Sequence, residues 1–345
     1  MYDYLKGKKV LVTGGTGSIG SEIVRQVLAQ SPEVVRIFSR DETKQYYLES
    51  VLGRRPDLRY LIGDVREKDR LTRALKDIDV VFHAAALKQV PSCEYNPFEA
   101  VKTNVLGTQN VIEAALEAGV SRVIAVSTDK AINPTSTMGA TKLLAERLIA
   151  TANSWVGGTV FACVRFGNVL NSRGSLIPLA KSQIERGAPV TLTDERMTRF
   201  MMPISEAVTL TLEAGALAAG GEIFILKMPA VRVKDLLDVL VQEYAPMVGV
   251  DPASVPVRRI GLRPGEKMEE ELLTQEELPR TTDSKRLLVV NPVNAGIFGD
   301  GASIPEKLYR SSKARCLDRR AIVSLLTGAG ALERQASLAS QAAVI

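Results

Sequence analysis

The 345-residue chain predicts an α/β fold built on a parallel, doubly wound sheet. Two observations carry that prediction. Short β-branched runs alternate with amphipathic stretches through the first half, and a glycine-rich turn joins the first run to the first amphipathic stretch. Strands are expected at residues 9–13, 34–39, 59–63, 80–84, 122–127 and 160–165, and helices near 18–30, 43–52, 67–75, 97–118 and 137–151. Within 97–118, Val101, Val105, Val111, Ile112 and Ala115 fall near helical spacing and leave Lys102, Glu113 and Glu117 outside. Strands separated by helices imply right-handed crossovers, which generate a parallel sheet covered on both faces.

The first strand runs into Thr13-Gly14-Gly15-Thr16-Gly17-Ser18-Ile19-Gly20, where the first helix begins. Gly14, Gly17 and Gly20 allow the tight turn, the approach of backbone N–H groups to a pyrophosphate and close helix–strand contact; Thr16, Ser18 and Ile19 share the turn. This is a Rossmann-like dinucleotide site.

The second strand ends in Ser39-Arg40-Asp41, with Lys44 one helical turn on. A carboxylate at that tip would favour NAD, whereas Ser39, Arg40 and Lys44 suit a 2′-phosphate, so NADP is favoured over NAD. Asp41 also fits an N-cap. At the end of the third strand, Asp64 and Val65 can contact adenine, or Asp64 can cap the turn at Arg66. The fourth strand delivers Ala84, Ala85, Ala86 and Lys88 beside the nicotinamide, and its His83 reads as a satisfied core histidine.

The fifth strand ends in Ser127-Thr128-Asp129-Lys130, and Lys142 follows at the start of a helix. Acid, base and cation thus meet at the carboxyl end of a strand, where open α/β sheets bind ligands. Hydride transfer alone does not need an Asp–Lys pair, so the pair implies a further proton-transfer step. Met138 stands four residues before Lys142, where a short-chain dehydrogenase/reductase would carry tyrosine.

After residue 169 the alternation breaks into a Ser/Gly/Arg loop at 171–178 and a turn-rich stretch at 188–199, then a helical pattern at 205–219, a strand at 222–226 and a helix near 233–244. Residues 258–267 read as a loop. The expected organisation is a nucleotide-binding domain of residues 1–168 with returns near 205–232, a smaller interleaved C-terminal substrate-binding domain of 169–204 and 233–330, and a flexible tail at 331–345.

Composition narrows the function. With 46% apolar and 24% charged residues the chain is globular. A net charge of +5 without a basic stripe argues against nucleic acid and fits an anionic small molecule. Three cysteines without metal or disulfide spacing fit a reduced, cytoplasmic setting and no metal site, and no run is long and apolar enough for a membrane span.

Residues 13–20, 39–42, 63–66, 83–91, 127–142, 165–169 and 263–267 together resemble the UDP-N-acetylglucosamine 4,6-dehydratases of polysaccharide biosynthesis, which are extended short-chain dehydrogenase/reductases. The resemblance implies NADP-dependent oxidation at sugar C4, removal of the C5 proton by Lys130, protonation of the departing C6 hydroxyl by Asp129, and return of hydride to C6. It makes Thr128 a partner for a substrate hydroxyl and Lys142 a source of positive potential. Some branches of that family are similar in carrying Met at the position of Met138; the C4 hydroxyl proton would then leave through Thr128, an ordered water or Asp129. The resemblance places Lys88 and Asn104 near the sugar, Asn168 and Arg173-Gly174-Ser175 on the pyrophosphate approach, Arg199 and Arg258 on the diphosphate and Glu266 on the ribose. Asn168 would also touch the cofactor. Retention at C5, UDP-N-acetylglucosamine as substrate and a homodimer or larger assembly paired through helices 97–118 and 137–151 complete the expectation. A UDP-sugar 4-epimerase of the same fold and a non-catalytic NADP-binding sensor are the alternatives.

Overall fold

The computed structural model describes residues 2–155, 158–293 and 304–333. Strand β1 (Lys9–Thr13) leads through the glycine-rich turn to α1 (Ser18–Leu28), then come β2 (Val34–Ser39), α2 (Glu42–Leu52), β3 (Leu58–Ile62), α3 (Lys68–Leu75) and β4 (Val80–His83). Two short helices, α4 (Val90–Tyr95) and α5 (Pro97–Ala100), precede a π-helical segment (Val101–Leu106) and α6 (Gly107–Glu117). The single helix expected over 97–118 is therefore broken. Wider π turns rotate Thr103 and Asn104 inward, where both are buried.

The core continues with β5 (Arg122–Thr128), α7 (Thr137–Ala152) and β6 (Val160–Phe166). Beyond it lie β7 (Asn168–Val169), α8 (Leu176–Glu185), β8 (Val190–Leu192), β9 (Thr198–Met202), α9 (Ile204–Leu217), β10 (Ile223–Leu226), β11 (Ala230–Arg232), α10 (Val233–Tyr244), β12 (Val257–Arg259), β13 (Thr281–Asp283), β14 (Leu287–Val290) and α11 (Arg319–Gly328).

The main sheet has nine strands in the order β13-β14-β10-β6-β5-β4-β1-β2-β3. From β10 across to β3 every neighbouring pair is parallel, as the crossover pattern requires. The order reverses between β1 and β4, which opens a crevice at their carboxyl ends. Strands β4 and β5 lie in the middle of this sheet, and Val80–Phe82 and Val123–Ala125 are buried in its core, which fixes the strand tips.

Two apolar cores are distinct. The larger one fills both faces of the main sheet and includes residues from Leu5 to Tyr309. The smaller is built from α8, β8, α10 and α11, with Ile177, Leu240 and Ile322 at its centre. Residues 281–290, expected in the substrate-binding part, instead form β13 and β14 at the edge of the main sheet; β14 pairs antiparallel with β10. The expected loop at 258–267 begins inside β12, and the turn-rich stretch at 188–199 contains β8, with which β12 pairs. Of the expected tail, Ala331 is buried and its carbonyl accepts from Lys181 Nζ, while residues 334–345 lie outside the described residues.

Candidate active site

The glycine-rich turn has no room for side chains. Gly14 has φ +64°, and a Cβ there would lie 2.7 Å from the Ala85 nitrogen, so β1 and the segment after β4 meet backbone to backbone. Gly17 is the N-cap of α1 and has no side-chain cap, which leaves the first N–H groups of the helix free for an anion. A cleft of about 260 Å³ runs from Gly14, Thr16 and Gly17 past Ser39, Arg40 and Lys44 to Asp64, Val65 and Ala84–Ala86. Ser18, Ile19 and Gly20 line the adjoining larger cleft.

At the adenosine end the two carboxylates expected there, Asp41 and Asp64, are both engaged. Asp41 caps α2 by accepting from the Lys44 N–H at 3.0 Å and pairs with Lys44 Nζ at 2.8 Å. Asp64 accepts from the Arg66 backbone and guanidinium and pairs with Arg40 at 3.4 Å. Ser39 Oγ accepts from Gln45. Arg40 keeps about half its side chain in solvent. Buried His83 bridges Thr13 and Thr108, and burial pushes its imidazole down to about 3, so it is a neutral structural group.

The larger cleft, about 530 Å³, gathers Thr128, Lys130, Met138, Lys142, Lys88, Asn168, Ser175, Arg199, Glu266 and Glu270. Thr128 Oγ1 donates to Asp129 Oδ1 at 2.9 Å, and Lys130 Nζ donates to the same oxygen at 2.9 Å. Asp129 is fully buried, and its Oδ2 has no hydrogen-bond partner among the described residues. Burial opposes the charge on Lys130, but Asp129 and Glu270 outweigh it and hold the ammonium above the ordinary lysine value. Lys142 Nζ donates to the Val126 carbonyl at 2.6 Å, and burial lowers its pKa. Ser136 caps α7 through the Gly139 N–H, which fixes the turn carrying Met138 and Lys142. Met138 packs with Cys93, Ala100, Leu87 and Val90 in a small apolar cluster at the cleft wall.

The remaining expected residues divide. Asn168 Oδ1 accepts from Lys130 Nζ at 3.4 Å, and Lys88 Nζ donates to Ser172 Oγ at 3.4 Å; burial, then Arg173, lowers the Lys88 pKa. Ser175 Oγ is buried at the N-cap of α8 without a partner among the described residues. Glu266 accepts from the Arg263 N–H and lines this cleft and a neighbouring one of about 240 Å³. Asn104 lines neither cleft. Its amide spans Leu87 N, Leu87 O and Thr141 Oγ1, because the π segment turns it inward, so it braces the Lys88 loop. Arg258 is exposed on β12 and lines none of these clefts, since its strand edges the smaller unit. Arg199 donates to the carbonyls of Thr198, Lys267 and Met268, which commits its fork to backbone, and its Nε faces Glu270 at 3.6 Å.

Sequence reasoning missed Glu270. It is buried 3.3 Å from Lys130 Nζ, yet in sequence it stands in Glu269-Glu270-Glu271, which reads as a solvated surface run. Its position three residues after the Arg263–Lys267 motif was the available signal. Arg173, expected on the pyrophosphate approach, lines both clefts: its N–H donates to Ser18 Oγ at 3.1 Å and its guanidinium to the Thr16 carbonyl. Among the described residues no helix is long and apolar enough to cross a membrane.

Residues 10–292 match a family described as polysaccharide biosynthesis protein. An uncharacterized membrane protein of Methanocaldococcus jannaschii is 53% identical over 94% of this chain and 96% of its own. A UDP-N-acetylglucosamine 4,6-dehydratase (inverting) of Campylobacter jejuni is 42% identical, covering 83% of each chain. A UDP-glucose 4-epimerase of Rickettsia bellii is 43% identical, covering 80% of each. Among solved structures, Pen from Bacillus thuringiensis superposes with a TM-score of 0.88 at 42% identity, over 96% of this chain and 99% of that one.

Proposed function

Because the chain belongs to the polysaccharide biosynthesis protein family, among its nucleotide-sugar dehydratase and epimerase enzymes, we propose that it dehydrates UDP-N-acetylglucosamine to a UDP-4-keto-6-deoxy-N-acetylhexosamine. The observation that carries this reading is the hydrogen-bonded series Thr128–Asp129–Lys130 at the tip of β5, beside a Met138 that cannot exchange a proton. An epimerase of this fold needs a tyrosine-type acid–base there and has no use for an elimination pair.

Gly14, Gly17, Arg40 and Lys44 would hold NADP, which would supply a hydride acceptor for sugar C4 and a hydride donor for C6, with no net redox change. Thr128 would take the C4 hydroxyl proton and pass its own to Asp129 Oδ1, 2.9 Å away. Asp129 then holds the proton that the C6 hydroxyl needs to leave as water. The C4 ketone acidifies C5, and Lys130 in its neutral form removes that proton and later restores it. One proton leaves C4 and one departs with water, so Asp129 ends as it began. Lys142 supplies positive potential beside the reacting carbonyl.

Arg40 and Lys44 support NADP over NAD, and Asn168, Ser175 and Glu266 support a UDP-sugar lying along the larger cleft. The Met138-Gly139-Ala140-Thr141-Lys142 string favours retention at C5. Three unpaired cysteines fit a cytoplasmic enzyme, and the exposed side chains of Phe98, Leu106 and Leu144 fit a homodimer paired through α5, the π segment and α7.

The test is to incubate the protein with UDP-N-acetylglucosamine and NADP in deuterated water and record the product spectrum. A C6 methyl signal with deuterium at C5 supports dehydration, and through-space contacts of that methyl with the ring protons give the C5 configuration. An epimerised sugar without a methyl group identifies a 4-epimerase instead, and an unchanged sugar a non-catalytic sensor. Lys130→Ala must lose the methyl signal; full activity in that variant refutes the assignment of the base.

A further inference from the structure

Lys130 is held as an ammonium. Its three N–H bonds face three acceptors: Asp129 Oδ1 at 2.9 Å, Glu270 Oε1 at 3.3 Å and Asn168 Oδ1 at 3.4 Å. A base must first shed a proton, and the neighbours differ in their ability to take it. Asn168 cannot. Asp129 is reserved, on the dehydratase reading, for the proton from C4. Glu270 remains, and its Oε2 is buried without a hydrogen-bond partner among the described residues.

We propose that Glu270 receives the proton from Lys130 and so converts Lys130 into the free amine that removes the C5 proton. This rests on the dehydratase reading. In the transfer one Lys130 N–H bond breaks and one Glu270 O–H bond forms; both groups become neutral, and no electrons change hands. The trigger lies in the same cluster. Once Asp129 takes up the C4 proton it no longer holds the ammonium electrostatically, so Lys130 gives up its own proton more readily.

The surroundings suit the role. The Glu270 N–H donates to Ser311 Oγ at 2.9 Å and the Ser311 N–H to the Glu270 carbonyl at 3.0 Å, so the backbone is clamped on both sides. Lys130 reaches Glu270 from the end of β5, Arg199 from β9 at 3.6 Å, and Lys267 lies on its own segment. Burial raises the Glu270 pKa and Asp129 adds to it, against the pull of Lys130, Arg199 and Lys267. Glu270 is a positioning residue: it acts through Lys130 without touching the sugar.

Glu270→Gln keeps the shape and removes the proton acceptor; Glu270→Asp keeps the chemistry. Single-turnover absorbance would follow NADPH formed by C4 oxidation, and NMR would follow deuterium entering C5. Glu270→Gln should oxidise C4 within about threefold of wild type but lose about 10²-fold in C5 exchange at pH 7, a typical acid–base contribution. That loss should shrink about tenfold per pH unit as solvent empties Lys130 instead, and Glu270→Asp should recover part of it. Wild-type exchange in Glu270→Gln, a loss that does not change with pH, or an equal loss of C4 oxidation overturns the proposal. If wild-type protein neither reduces NADP nor exchanges C5, the dehydratase reading fails on its own terms. The Glu270 assignment is then decided by the ¹³Cε titration of Lys130 in labelled protein. Two steps in wild type and one in Glu270→Gln support a shared proton; one step in both removes it.

Discussion

Arg165→Met should be among the most destabilising single changes in this protein. Arg165 sits on β6, almost wholly buried, and donates to Glu146 of α7 at 3.0 and 2.6 Å and to Glu277 at 2.9 and 2.9 Å. A further bond of 2.8 Å reaches the Leu272 carbonyl. Removing the guanidinium strands two buried carboxylates, which costs about 3–5 kcal/mol. At about 2 °C per kcal/mol for a chain of this size, the melting temperature should fall by roughly 6–10 °C. Calorimetry at pH 7 measures it. The pH dependence gives a second reading. Burial pushes the Glu277 carboxyl up, but Arg165 outweighs burial and holds it below its usual value. Stability from that depressed value is present above the unfolded carboxylate pKa and is lost as pH falls through the folded one. The gap between wild type and Arg165→Met should therefore narrow below about pH 4. Replacing the whole triad with Glu146→Gln, Arg165→Met and Glu277→Gln should regain most of the loss, because a complete buried triad has little net worth. A fall under about 1 kcal/mol, or a triple variant no more stable than Arg165→Met, refutes this account.

Thr128→Val should retain the fold and lose about 10²-fold in single-turnover C4 oxidation at pH 7; full activity removes the hydroxyl from the proton route. Gly14→Ala drives a Cβ against the Ala85 backbone at a positive φ, so NADPH fluorescence enhancement should disappear while the circular dichroism spectrum persists. Arg40→Ala should weaken NADP at least about tenfold while changing NAD little, read by titration of each; equal losses contradict a 2′-phosphate contact.

What could be read from the sequence was chemistry that is local in the chain. The strand–glycine–helix turn and the Thr128–Lys142 stretch each contain their own partners, so spacing alone places them at the sheet's carboxyl edge. What could not be read depended on fold-level contacts. Glu270 becomes an active-site group only because Ser311, 41 residues on, clamps its backbone against Lys130. The resemblance puts Asn104 near the sugar, but a π segment that helical periodicity does not register turns it inward. The resemblance puts Arg258 on the diphosphate, whereas β12 carries it to an edge away from the clefts. β13 and β14 rejoin the main sheet far along the chain, a long-range pairing without a local signature.

Arg173 belongs to the loop before α8 but grips Ser18 and Thr16 across the turn that would cradle the cofactor diphosphate. A dinucleotide seated there would share the cleft wall with Arg173. The proposed reaction hands its reducing equivalents back to the same sugar, so turnover never demands that the dinucleotide be exchanged. The nucleotide would then behave as a resident part of the protein, and the rate would be insulated from the surrounding balance of oxidised and reduced dinucleotide.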